Sequence, residues 1–380
     1  MWANKQTGFS CRGMALFSSA LLLLILATLV TGYVAKVKSL ENQIVNNEQS
    51  RKQAMNAAST GLYQALATLQ VRPDWVSDGS DQTLTSGSQF AMLTTDFPIT
   101  PGSSSYRGVA VMSVGTSADG LTQANVSADA IVYPILARVP PVPVMIGGGA
   151  SALSQASATG SSLTIGSNIN GAGQGMPLSV WTSATLSSSQ SSITSCLPAN
   201  FSAAGCNGNL LSSGGNKGTD ILDADNLFPA DLWQYAFNLT TSQALSLKQE
   251  ASIIAADCSG LSSQSTGMIW ITGDCVIAPG ITLGSINEPV LLVVVNGNLS
   301  LQASACIHGM VFWASLPAGS GAYQLIMGSG TTIEGALLSN QQIDTASTDL
   351  RVVYEPAALR NLQLPPFTRV AMVPGSWRDF

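Results

Sequence analysis

Hydrophobic positions follow three different rules along this chain. From Met14 to Ala35 the run MALFSSALLLLILATLVTGYVA holds no charged residue. At about 1.5 Å per residue, a helix of that length covers the roughly 30 Å of a bilayer's hydrocarbon. From Lys36 to Leu69 there is no proline and one glycine, Gly61. Leu40, Ile44, Ala54, Ala58, Leu62, Leu66 and Leu69 recur there at three- and four-residue steps, with one wider gap. Lys38, Glu41, Asn42, Glu48, Gln49, Lys52 and Asn56 take the other face. That period predicts an amphipathic helix continuous with the apolar run. Arg72-Pro73 stops it, because proline disfavours the helical region for the residue before it. One helix is thus expected over 14–72, with 14–35 as a single membrane span. Lys5 and Arg12 precede the run without an acid, which puts the N-terminus in the cytoplasm and the body in the periplasm. A cleaved secretory signal is a poor match, since the run is too long and Lys36-Val37-Lys38 follows where a small-x-small site would stand.

Past Pro73 the pattern shortens. Residues 73–105 are rich in Asp, Ser, Thr, Gly and Pro and read as loops. Tyr106–Val114 and Ala128–Ala137 read as strands joined through an Asp119-Gly120 turn, the second at a sheet edge because of Pro134. Residues 73–140 are expected to form a small sheet with loops packed on the helix, and Val139-Pro140-Pro141-Val142-Pro143 a stiff connector. From 144 to 380 short apolar runs alternate with Gly, Asn and Ser. They recur at irregular steps of about 15–25 residues, near one coil of a parallel β-helix. Three or four coils are expected, interrupted by a Ser/Gly-rich insertion at about 182–266 that holds a helix over Pro229–Glu250, capped by Asp225 or Asn226. An irregular β-sandwich is the alternative. The expected fold class is α+β: a long N-terminal helix, a small β-sheet head and a β-rich C-terminal region with short parallel β-helix character.

Charge changes the picture by its scarcity. Charged residues are 9% of the chain, the net charge is −6, and no basic cluster lies beyond the N-terminal third, which argues against a nucleic-acid surface. The single histidine, His308, excludes sites that need two. No G-x-S-x-G, Walker A or H-E-x-x-H motif occurs, and the chain is not read as an enzyme. Cys306 and His308, two residues apart in an apolar strand, read as a packed core pair, with Cys306 a buried thiol. Asp220, Asp223 and Asp225 offer oxygen ligands of the kind Ca²⁺ takes, but the EF-hand spacing and glycine are missing. Capping and solvation explain these acids more simply, so neither a metal nor a cofactor is assigned. The cysteines are Cys11, Cys196, Cys206, Cys258, Cys275 and Cys306. Cys196–Cys206 would close a Gly/Ser loop with little core of its own, and Cys258 and Cys275 flank the first late strand, so these two pairs are the disulfide candidates; spacing alone leaves the connectivity open.

Two segments carry a family resemblance. Gly13 before Met-Ala-Leu-Phe, behind a short basic leader of residues 1–13, resembles a type IV prepilin processing site. Leu40-Glu41, Asn47-Glu48, Arg51, Ala54, Ala57-Ala58 and Gly61-Leu62 resemble the N-terminal segment of PilX-type minor pilins, and VPGSWRDF (Val373–Phe380) is similar to the way those chains end. The resemblance implies cleavage by a prepilin peptidase between Gly13 and Met14 and methylation of Met14. It implies a subunit of the type IV pilus, in contact with major and minor pilins, that promotes assembly and presents or assists a tip adhesin. Location would be the inner membrane first, then the pilus at the cell surface. Major pilins carry Glu at the fifth mature position; here that position is Ser18. Two other readings compete. A tip pseudopilin of type II secretion would carry a mainly helical extra domain. A membrane-anchored β-helix enzyme acting on polysaccharide would need clustered acids, and the late coils hold only Asp274, Glu288 and Glu334.

Overall fold

The computed structural model describes residues 12–99, 106–147, 162–186, 193–202, 204–214, 216–317, 323–341 and 349–379, with only the backbone at 12–16, 162 and 349. The leader residues 1–11, Cys11 among them, and Phe380 lie outside that range. The chain is α+β, with one long N-terminal helix and a β-rich body.

Helix α1 runs unbroken from Arg12 to Val71. Its last bond is Arg72 N–H to the Thr68 carbonyl, immediately before Pro73. The stripe read from the sequence divides. Ala54, Ala58, Leu62 and Leu69 are fully buried, whereas Leu40 and Ile44 are half exposed or more. The reason is reach: the covering sheet ends near Ser50, whose hydroxyl donates to Asp119 at the tip of a hairpin. The sheet under the helix is antiparallel. Strands β1 (Asp81–Thr83), β2 (Gln89–Phe97), β3 (Arg107–Thr116) and β4 (Gln123–Pro134) lie in that order. The stretch expected to be loops therefore holds β2, paired with β3 over all nine of its residues. Its alternation, Phe90 and Met92 inward and Gln89 and Leu93 outward, is hidden among the many Thr, Ser and Asp around it. Nor is β4 an edge. Thr368–Met372 adds along one end and Arg378–Asp379 along the other, and Pro134 fits because it ends the strand.

The C-terminal strands thus return to the helix-bound sheet, and the region from 144 onward does not keep all of its residues to itself. Its centre is a parallel ladder. Ile253–Ala255, Gly267–Thr272, Val290–Val295, Cys306–Ala314, Thr332–Ser339, Asp349–Val353, Ser162–Gly166 and Ile193–Cys196 neighbour each other in that order. The short strands Cys275–Ile277, Leu299–Leu301 and Leu325–Met327 form a second parallel sheet. Thr282–Leu283 and Val144–Ile146 add to the first ladder, against Cys306–Ala314 and Thr332–Ser339.

Val290–Val295 is buried at every position, as a parallel strand covered on both faces must be. One face meets the short-strand sheet through Leu292, Val294, Val311, Leu299 and Leu325. The other face, Trp270, Val293, Phe312 and Leu338, is covered by Trp233 and Phe237 from the insertion and by Leu359. The helix expected over Pro229–Glu250 is two short ones, Leu232–Phe237 and Ala244–Lys248. Asn238 adopts the left-handed conformation between them, and the cap is Asp231, which accepts from Trp233 and Gln234 N–H. Cys196 is bonded to Cys206 and Cys258 to Cys275.

Candidate functional site

The site with the clearest construction is the helix itself. Close approach fixes its C-terminal half. A Cβ on Gly61 would stand 2.6 Å from the Phe90 ring, and one on Gly115 would stand 2.0 Å from the Ala54 carbonyl. Small residues on both partners, with Ala57 and Ala65 also fully buried, bring the backbones of α1, β3 and β4 together. The N-terminal half has no such cover. Phe17, Leu23, Leu24, Leu29, Val30 and Tyr33 are each more than three-fifths exposed. Of the described residues, this is the one helix long and apolar enough to cross a membrane. Its hydroxyls bond back to the helix, Thr28 to the Ile25 carbonyl and Thr31 to the Ala27 carbonyl, so these two polar groups need no water. Ser18 lies on this exposed apolar stretch. Gly13 and Met14 lie in the helix, with no side-chain geometry described. Charge begins at Lys36, and Lys38 pairs with Glu41 at 2.8 Å. Such a surface can enter lipid or pack against other apolar helices.

The acids considered for calcium find three separate sets of partners. Asp220 is buried and accepts from the hydroxyls of Ser179, Ser195 and Ser212 at 2.5–2.7 Å. Asp223 accepts from Leu186 N–H and pairs with Lys217 Nζ at 2.7 Å. Burial pushes the Asp223 carboxyl up, but the Lys217 bond, the Leu186 N–H and the Lys217 charge outweigh it and hold it below the usual range. Asp225 accepts from the Trp181 indole and Leu227 N–H.

Cys306 and His308 are not a core pair. Alternation turns Ile307 and Gly309 inward and leaves Cys306 and His308 on the outward face, both part-exposed. Cys306 Sγ lies 3.8 Å from His308 Nε2, and Glu334 Oε2 lies 3.0 Å from Nδ1, off the direction of a good hydrogen bond. Contact with Cys306, then with Glu334, pushes the imidazole up to about 10 against the opposing effect of burial, and His308 holds Glu334 down. Sequence reasoning missed Glu334 as the partner. The signal was register: His308 and Glu334 pair directly on adjacent strands.

No family model and no curated protein matches the chain. Among solved structures, the competence-associated pilin ComZ from Thermus thermophilus is similar over 87% of this chain and 98% of that one, at 12% identity and a TM-score of 0.27, a likeness too slight to carry an argument.

Proposed function

We propose that the chain is a pilin-like minor subunit of a type IV pilus, of the PilX type, that promotes filament assembly and presents a tip adhesin or an adhesive surface. One observation carries the reading: a single continuous helix is bare and apolar in its first half and fixed to an antiparallel sheet in its second. Before assembly the bare half lies in the inner membrane, with the body in the periplasm. In the filament it packs against the helices of other major and minor pilins. Lipid and helix neighbours are both apolar, so the transfer changes little hydrophobic energy, and packing decides it. Prepilin peptidase would release the leader between Gly13 and Met14. Ser18 then stands where major pilins bury a Glu against a neighbour's amine. Without that carboxylate, the subunit buries no unpaired charge where the neighbour is missing, a state that is otherwise costly. This suits the filament tip or an initiating complex.

The parallel strands of the body support a reading as a short β-helix. Side-chain amides and carboxylates stack from one turn to the next, Asn298 Nδ2 donating to Asp274 and Gln324 N–H to Asn298 Oδ1. Such a wall is a display surface outside the membrane. N-terminal sequencing tests the assignment. Methylated Met14 is expected in cells with the peptidase and the uncut chain in cells without it; an intact Met1 in piliated cells, or a cut beyond Ala35, removes it. Ser18→Glu is expected to alter incorporation into pili, and unchanged incorporation and piliation would remove the tip argument.

A further inference from the structure

We infer that Cys306, His308 and Glu334 form a binding site for a thiophilic divalent cation, zinc above all, on the outer wall of the parallel ladder. Ligand atoms of the three side chains all lie within 4.8 Å of one another. Zinc takes sulfur at about 2.3 Å and imidazole nitrogen at about 2.0–2.1 Å, so two such ligands on one tetrahedral ion stand about 3.6 Å apart. Cys306 Sγ and His308 Nε2 stand 3.8 Å apart before any adjustment. Glu334 is more exposed than His308, its side chain 34% accessible against 19%. It is the ligand free to swing from Nδ1 onto the ion.

The backbone beneath is well fixed. Cys306–Trp313 and Thr332–Ser339 pair in parallel over eight consecutive positions, which sets His308 opposite Glu334 and places Cys306 two residues away on the same face. A site borne on paired strands holds its geometry better than one on loops. Thiolate and imidazole select zinc or a similar transition metal over calcium and magnesium. Three protein ligands leave the fourth position to water. Cys306 is also the one unbonded cysteine among the described residues, while the other four are joined in pairs. A thiol left over in an exported body needs a use.

The test uses the full chain in detergent carrying Cys11→Ser, so that Cys306 is the one thiol outside a disulfide. Cobalt(II) titration is expected to give a thiolate-to-cobalt charge-transfer band saturating at one ion per chain and abolished by zinc(II). Cys306→Ser removes the band, and His308→Ala and Glu334→Gln each weaken binding at least about tenfold. Absence of the band, or unchanged affinity in His308→Ala, overturns the proposal. A second measurement needs no ligand variant. Zinc(II) should slow alkylation of Cys306 by iodoacetamide, and alkylation at the same rate with and without zinc rejects the site. Finding Cys306 in an intermolecular disulfide on purified pili also rejects it.

Discussion

At the scale of single residues, the helix–sheet contact depends on a missing side chain. Gly115 faces the helix backbone, and a Cβ there meets the Ala54 carbonyl at 2.0 Å and the Ala58 nitrogen at 2.3 Å. Backbone cannot step aside as a side-chain tip can. Gly115→Val is therefore expected to cost about 1–3 kcal/mol, toward the upper end, in denaturant unfolding of the body. Gly260→Ala, with open space around it, should change little. Gly61 was visible in the sequence as the one glycine between Lys36 and Leu69. Gly115 was not, because its role depends on how a distant hairpin lies on that helix. Asp223 gives a pH prediction. Its carboxyl is held below the ordinary value of about 3.9, mainly by Lys217 and the Leu186 N–H working against burial. A depressed carboxylate stabilises the fold above the unfolded value and stops doing so as pH falls through the folded one. The wild type should thus lose stability relative to Asp223→Asn as pH falls below about 4. Parallel acid-unfolding curves for the two proteins would remove the claim.

At the scale of elements, the ladder depends on what covers it. Trp233 is 1% exposed, and its ring lies 4.5 Å from that of Phe312, 5.7 Å from Phe237 and 5.9 Å from Trp270. Without that cover, a face built of Trp270, Val293 and Phe312 would meet water. Trp233→Ala should cost about 3–5 kcal/mol, seen as a lower denaturation midpoint with an unchanged slope. Elements with strong periods were legible: α1 within two residues at its start and one at its end, and the β3–β4 pair with its Asp119-Gly120 turn. Elements whose pattern is diluted were not. Strand β2 carries two buried apolar side chains among Thr, Gln and Asp, too few to stand out from a loop. The exposed placing of Cys306 and His308 was also hidden, because a strand buried on most positions gives no sign of which short stretch faces outward.

At the scale of the molecule, the two sheets are tied by the end of the chain. Thr368–Met372 pairs with β4 over five positions. Gln70 on α1 clasps the same strand, donating to the Thr368 carbonyl and accepting from Val370 N–H, both at 2.8 Å. From that strand Arg369 forms an ion pair with Glu250, which follows the insertion's second helix. Just before it, Phe367 accepts from Ile135 N–H and is itself buried in the core over the ladder. One short segment therefore touches helix, sheet and insertion together. A chain ended after Pro366 would lose all of these and expose the row of β4 groups they satisfy. Hydrogen exchange should then rise in β4 and in the segment around Glu250, whose partners are gone. Val290–Val295 should keep its protection, because its hydrogen bonds run to residues 267–273 and to Cys306–Ala314, none of them in the lost segment. If the Val290–Val295 amides exchanged as fast as those of β4, the ladder would owe its stability to the helix-bound sheet, and the body would unfold as one unit rather than from its tied end.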